Sequence, residues 1–204
     1  MILKVKSGKD LPSMMGITID QPSTNVVPQK LEGVNFNPSM YVGLSENMIS
    51  LLNARINSEE VSSRTYLSMS LWLEDKAYFN AAKLWAKYAS EENNHADWAR
   101  EHLLSFNIRP KTMSIMPVEN EYTGLDDIIR KTLEHEMKVT YECKELAKAA
   151  LEEIDMNTFV LAQKYVKEQN EELQKSYDLL NLLDVYGTDK LNLALLDHEL
   201  EKFL

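Results

Sequence analysis

In four stretches of the chain, residues that suit a helix interface, mostly apolar, aromatic or small, recur at alternating spacings of three and four positions. Side chains with this spacing share one face of an α-helix, and antiparallel helices pack against each other through such seams. The pattern therefore predicts four helices that form a bundle. In chain order the seams are Leu52, Ile56, Glu59, Ser63, Tyr66, Ser70 and Leu73; Trp85, Tyr88, Glu92, His95, Ala99, His102 and Phe106; Ile129, Leu133, Glu136, Thr140, Cys143 and Ala147; and Tyr165, Gln169, Glu172, Ser176, Leu179 and Leu183.

Glycine and proline set the limits of these helices. Neither occurs in 44–109 or 125–186, and each stretch is long enough for two helices of about 28 residues. Residues 1–44, which hold four of the six prolines, are predicted to form an irregular N-terminal arm before a domain at 45–204. The predicted helices are 46–74, 78–106, 125–152, 156–184 and a short fifth at 189–203, with Ser45, Thr123, Asp155 and Thr188 as N-caps.

Each seam has a carboxylate near its middle. Counted from the tight turns expected near Lys76 and Ile154, these carboxylates fall at one level of the bundle, because a helix rises about 1.5 Å per residue. Burying four carboxylates without counter-ions would cost several kcal/mol per charge, whereas two divalent cations balance them. The alternative to a metal site is that the carboxylates rotate towards solvent, and this would have to happen on all four helices. Carboxylate oxygens with one imidazole suit iron or manganese, so the pattern predicts a di-metal site. Its candidate residues are Glu59, Glu92, His95, Glu136, Gln169 and Glu172.

The connection between the second and third helices indicates the topology. From Asn107 to Thr123 it contains Pro110 and Pro117. Extended, it reaches roughly 55 Å, enough to run back along a helix of about 42 Å. The second and third helices are therefore predicted to be parallel. An all-α, ferritin-like four-helix bundle with one long crossover and a short fifth C-terminal helix follows from this arrangement.

Composition excludes several functional classes. The net charge of −10 argues against a nucleic-acid partner, which would require basic clusters. No run of about 20 apolar residues is present, so no membrane span is expected. Cys143 is the single cysteine, which excludes an internal disulfide framework. The first residues lack the apolar core of a signal peptide. We therefore expect a cytoplasmic protein.

Five short stretches carry a resemblance to a known family. They are N-S-E-E-V-S-S-R-T-Y (57–66), S-E-E-N-N-H (90–95), E-H-E (134–136), Y-V-K-E-Q-N-E-E (165–172) and L-L-D-H-E-L (195–200). Over about residues 46–204 the chain resembles the bacterial non-haem ferritins. The resemblance implies that Glu59, Glu92 and His95 hold a first iron. It implies that Glu92, Glu136 and Glu172 hold a second.

The same resemblance implies further roles and one absence. Gln169 would be a neutral partner of the metal ligands, and Tyr66 would be the tyrosine beside the diiron centre. A third iron site is expected from Glu91, Glu168, Glu171 and Glu172. No haem is expected. The fourth helix lacks a second Glu-x-x-His motif, and position 93, where a haem-binding relative would carry methionine, is asparagine.

The function that this resemblance implies is iron storage. Fe(II) would be oxidised by O2 or H2O2 at the diiron centre, and ferric mineral would collect inside a cage of 24 identical subunits. One alternative is a diiron oxidoreductase or peroxidase on the same bundle, with a small oligomer and no mineral. Another is a non-catalytic bundle that serves as a scaffold. The complete set of third-site residues and the short fifth helix favour the storage cage.

Overall fold

A computed structural model describes residues 43–204, so nearly all of the predicted N-terminal arm, 1–44, lies outside the described part of the chain. Residues 43–204 are mainly helical and contain no strand. None of the helices in this range is long and apolar enough to cross a membrane. The elements are α1 (Glu46–Asp75), α2 (Phe79–Ser105), α3 (Leu125–Glu152), α4 (Met156–Tyr186), α5 (Lys190–Glu199) and a 3-10 helix (Leu200–Phe203).

The helices form two antiparallel hairpins joined by the long connection. α1 packs along α2, and α3 packs along α4, each pair across a short turn. At one end of the bundle, Asn47 in α1 donates to Glu153, which follows α3, at 2.6 Å. Towards the other end, Ser68 in α1 donates to the carbonyl of Glu119, before α3, at 2.6 Å. α1 and α3 are thus antiparallel, and α2 and α3 are parallel, as the crossover predicted.

The first four helices begin and end within two residues of their predicted limits. Two predicted N-caps are confirmed. Ser45 Oγ accepts from the backbone N–H of Met48 at 3.0 Å, and Asp155 Oδ1 accepts from that of Thr158 at 3.0 Å. Each side chain satisfies a backbone donor that the first helical turn leaves without a partner.

The other two predicted N-caps are wrong by one residue. α3 follows Gly124, which has no side chain to cap it, and the backbone N–H of Thr123 instead donates to Asp127 at 3.0 Å. α5 follows Asp189, whose carboxylate accepts from two backbone N–H groups at 3.1 and 3.2 Å, so Thr188 lies outside the helix. At α5 the aspartate carboxylate thus binds the free backbone donors of the first turn, whereas no side chain caps those of α3.

The start of α2 is capped from a distant part of the chain. Tyr78, its N-cap residue, makes no side-chain capping bond. The buried carboxylate of Asp197 in α5 accepts from the backbone N–H of Ala81 at 2.8 Å. α5 therefore supplies the cap that the local sequence of α2 lacks, and this contact fixes the fifth helix to the bundle.

A polar layer divides the core into two apolar clusters. One includes Leu73, Trp85 and Leu183, near the turn that joins α1 and α2. The other includes Leu52 and Ala162, near the opposite end. The buried residues of the layer are Glu59, Glu92, His95, Glu136, Gln169 and Glu172. The fold thus places charged side chains where an ordinary bundle would bury aliphatic ones.

Candidate metal centre

Five ionisable side chains from four helices meet in this layer. α1 provides Glu59, α2 provides Glu92 and His95, α3 provides Glu136 and α4 provides Glu172, and each is at most 8% exposed. They form two groups, Glu59–Glu92–His95 and Glu92–Glu136–Glu172, whose potential ligand atoms lie within 4.8 Å of one another. Glu92 belongs to both groups. The convergence expected from the four seams is therefore present, with the carboxylate of Glu92 between the two groups.

Neutral side chains orient the carboxylates of α3 and α4. Gln169 Nε2 donates to Glu136 Oε2 at 2.9 Å and to Glu172 Oε2 at 2.6 Å. The hydroxyl of Tyr66 donates to Glu136 Oε1. The amide oxygen, Gln169 Oε1, is buried and has no hydrogen bond to any residue that the structure describes. Gln169 thus holds two acidic groups without adding charge to the layer.

The imidazole of His95 is fixed within the same cluster. Its Nδ1 lies 3.1 Å from Glu92 Oε2 and 3.8 Å from Glu172 Oε1. The backbone of His95 is anchored by Tyr165, whose hydroxyl donates to the His95 carbonyl at 2.6 Å. The ring of Trp98 packs beside the imidazole with a centroid distance of 4.7 Å. Contacts from α2 and α4 therefore set the position of the single imidazole.

Burial determines the electrostatics of the layer. Desolvation raises the pKa of Glu59 to about 8, and attraction by Arg55 offsets only part of that effect. Burial also raises the pKa of Glu92, Glu136 and Glu172 above the usual value, and repulsion among the carboxylates adds to the increase. In the metal-free protein these groups therefore tend to keep their protons near neutral pH. A bound cation would supply the charge that favours their ionised form.

Sequence reasoning missed a buried arginine in the layer. Arg55 lies one turn before Glu59 on α1 and is 4% exposed. Its Nε is 3.0 Å from Glu59 Oε1, and its Nη1 is 3.1 Å from Glu142 Oε2 on α3. The spacing of four between Arg55 and Glu59 indicates an ion pair on one helix. The contact with Glu142 depends on how α1 packs against α3, which that spacing does not reveal.

The residues expected at a third iron site are only partly brought together. Glu168 and Glu172 form a group with His95, and Glu168 Oε1 lies 3.9 Å from His95 Nε2. Glu91 and Glu171 belong to none of the ligand groups found within residues 43–204. Glu171 is exposed and Glu91 is partly buried. A third site made of Glu91, Glu168, Glu171 and Glu172 therefore stays a prediction.

A small cavity adjoins the second carboxylate group. Its volume is about 10 Å³, which is room for about one water molecule. The lining residues include Tyr66, Glu92, Glu136, Glu172 and Lys175. Tyr66 is 1% exposed. The tyrosine expected beside the centre therefore reaches both this space and a carboxylate.

Comparison with known proteins agrees with this fold. A family model described as a ferritin-like domain matches residues 49–185. A bacterial non-heme ferritin-like protein of Haemophilus influenzae is 34% identical over 157 residues, which cover 77% of this chain and 95% of that protein. The bacterial non-heme ferritin of Escherichia coli O157:H7 is 32% identical, with the same coverage of both chains. The chain therefore belongs to the ferritin-like family.

Solved structures support the same assignment. An open pore ferritin from the hyperthermophilic archaeon Archaeoglobus fulgidus superposes with a TM-score of 0.75 at 30% identity. The match covers 78% of this chain and 98% of that one. The prediction of a ferritin-like bundle with one crossover and a short fifth helix is confirmed.

Proposed function

We propose that this protein stores iron by oxidising Fe(II) at the carboxylate layer and holding the ferric product as mineral inside a multi-subunit cage. The observation that carries the proposal is the pair of buried ligand groups that share Glu92. A shared carboxylate can bridge two cations and hold them at the short separation that joint electron transfer requires. The family and the names of the relatives agree with this proposal.

The donor set fits two Fe(II) ions as substrate. Four carboxylates and one imidazole are oxygen-rich, and no thiolate takes part, which suits iron better than softer metals. Glu59 Oε2 and Gln169 Oε1 are buried and make no hydrogen bond to residues 43–204. An unsatisfied buried acceptor is costly unless a cation or a water molecule fills its place. Both atoms therefore suit a site that binds cations.

The side chains would act in distinct ways during oxidation. Glu59 and His95 would bind one Fe(II), Glu136 and Glu172 would bind the other, and Glu92 would bridge them. Each Fe(II) loses one electron. One O2 then takes up two electrons and two protons to give H2O2, or one H2O2 takes up two of each to give two water molecules. The raised pKa values of the carboxylates mean that Fe(II) binding displaces protons from the layer.

Three further features belong to the proposal. Glu91, Glu168 and Glu171 with Glu172 would hold a third iron next to the pair, and Tyr66 could supply an additional electron. The cage would be a homo-24-mer, as the resemblance implies. Exposed apolar residues of α5, including Leu191 and Leu195, offer contact area for such an assembly.

Replacing the shared carboxylate tests the oxidation step. The metal-free protein is given two Fe(II) per chain without oxygen and then mixed with O2, and Fe(III) is followed by its near-ultraviolet absorbance. Mutating a residue that only hydrogen-bonds a metal ligand lowers metal affinity or activity about 10–100-fold. Glu92→Ala removes a ligand itself and should slow oxidation by at least about 100-fold. Glu101→Ala, which removes an exposed carboxylate from the same helix, should leave the rate unchanged. Rapid oxidation in the Glu92 variant would rule out this centre.

Iron loading tests storage separately. The protein is loaded with a large excess of Fe(II) in air and separated by size-exclusion chromatography with iron measured in each fraction. Storage predicts that iron far beyond three ions per chain elutes with a large assembly. Rapid oxidation in a small oligomer that carries no such iron would favour the diiron oxidoreductase alternative. No stoichiometric iron binding would leave only the scaffold alternative.

A further inference from the structure

The guanidinium of Arg55 is held in the carboxylate layer by contacts from three helices. Its Nε lies 3.0 Å from Glu59 Oε1 on α1, and its Nη1 lies 3.1 Å from Glu142 Oε2 on α3. The ring of Tyr165 on α4 lies 6.0 Å from its central carbon. Because an arginine keeps its charge at any physiological pH, the layer contains a permanent positive charge beside one of the two ligand groups.

Glu142 compensates this charge only in part. Its carboxylate also accepts a hydrogen bond from Ser58 at 2.7 Å and lies 3.8 Å from Lys138 Nζ. The Glu142 side chain is 33% exposed, so solvent screens it, whereas that of Glu59 is 2% exposed. The buried partner of Arg55 is therefore Glu59.

This contact between Arg55 and Glu59 makes the two ligand groups unequal. Glu59 Oε1 faces the guanidinium, and Glu59 Oε2 has no hydrogen bond to any residue in 43–204. A cation bound at Oε2 would therefore have to share the Glu59 carboxylate with the guanidinium. In the other group, Glu136 and Glu172 receive hydrogen bonds from neutral Gln169, which orients them and leaves their charge available to a cation.

We propose that Arg55 is a positioning residue that makes Glu59–Glu92–His95 the weaker of two cation-binding sites, or seats. The other seat is Glu92–Glu136–Glu172. Arg55 Nε lies 3.0 Å from one oxygen of Glu59, and its charge opposes a divalent cation at the Glu59–Glu92–His95 seat. The inference rests on the proposed function, because it takes both ligand groups as seats for Fe(II). The first Fe(II) then enters the Glu92–Glu136–Glu172 seat, and the second completes the pair.

Titration of the metal-free full-length protein with Co(II) tests this order of affinity, because the visible absorption of Co(II) reports binding without any redox step. The wild-type chain should bind two cations with unequal affinity. Arg55→Gln should tighten the weaker seat by about tenfold or more, since it removes a nearby unit charge of the same sign. Arg55→Lys keeps the charge and should leave the weaker seat weak. Arg100→Gln is the matched control, because Arg100 pairs with Glu60 and Asp97 and contacts neither ligand group.

Glu142→Gln gives a second test with the opposite sign. Removing this partly exposed carboxylate leaves Arg55 less compensated, so the weaker seat should become weaker still. This variant keeps the buried Arg55–Glu59 pair and remains informative even if Arg55→Gln does not fold. Two equal seats in the wild type, or an unchanged or lowered affinity in Arg55→Gln, would overturn the inference and leave the proposed function standing. A wild-type chain that binds no Co(II) would overturn both.

Discussion

Replacing Glu59 by glutamine should remove part of the pH dependence of stability in the metal-free protein. The pKa of Glu59 is about 8 in the folded chain, against 4.5 for an unburied glutamate. Below pH 4.5 the carboxyl is protonated in both states, and its contribution to stability is fully present. As the pH rises towards 8, the unfolded chain releases this proton before the folded chain does. The free energy of unfolding therefore falls through this window.

The size of the effect follows from the same pKa values. One pKa unit corresponds to about 1.36 kcal/mol, so a rise from 4.5 to about 8 destabilises the ionised form by up to about 5 kcal/mol. Between about pH 5 and about pH 8 the loss assigned to Glu59 alone is about 3 kcal/mol by linkage. Glu59→Gln stays neutral throughout. Its unfolding free energy should therefore decline by about 3 kcal/mol less than that of the wild type over this range.

Guanidinium denaturation followed by circular dichroism, with a chelator and at fixed protein concentration, measures the difference. Glu101→Gln, which alters an exposed carboxylate on α2, should reproduce the wild-type profile. A divalent cation at about 100 times its dissociation constant should restore about 2.7 kcal/mol to the wild type near pH 8. Parallel pH profiles for the wild type and Glu59→Gln would refute the reasoning, because Glu59 would then not resist ionisation in the folded protein.

Two further substitutions test other parts of the structure. Asp197→Ala removes the acceptor for the backbone N–H of Ala81 and should cost about 1–2 kcal/mol, measured as a lower melting temperature; an unchanged value would mean that α5 does not cap α2. Glu171→Ala should preserve the oxidation of two Fe(II) per chain but change the ratio of iron oxidised to O2 consumed, as measured with an oxygen electrode. An unchanged ratio would identify Glu171 as a solvated surface residue.

The fold and the meeting of the carboxylates were predictable because both follow from periodicity. A glutamate at the middle of each seam must face the other helices whenever the seam does, so Glu59 and Glu136 were expected in one layer. The outer limits of the two helical hairpins were predictable because glycine or proline bounds each long stretch that contains neither residue. The N-cap at Thr188 failed because Asp189 is the better acceptor and lies one residue later. Such competition between neighbouring residues is decided by local geometry.

Individual side-chain contacts between helices could not be predicted from the sequence. Asp197 caps a helix that lies more than a hundred positions earlier, and Arg55 meets Glu142 across α1 and α3. Each contact depends on the rotation of one helix against another by a fraction of a turn. The same limit applies to Glu91 and Glu171, since spacing alone does not say whether a carboxylate beside a seam turns inwards or towards solvent. In the structure, Glu171 is exposed.

The carboxylate layer lowers the stability of the bundle unless cations occupy it. On both sides of the layer the core is apolar, and continuing that apolar packing across it would avoid the burial of Glu59, Glu92, Glu136 and Glu172. Replacing buried charges by well-packed apolar residues is often neutral or stabilising by about 1–4 kcal/mol. Folding alone therefore gives no reason for this layer. A cation that entered it would relieve the repulsion among the carboxylates, so the arrangement that weakens the empty bundle is also the one that would favour metal binding.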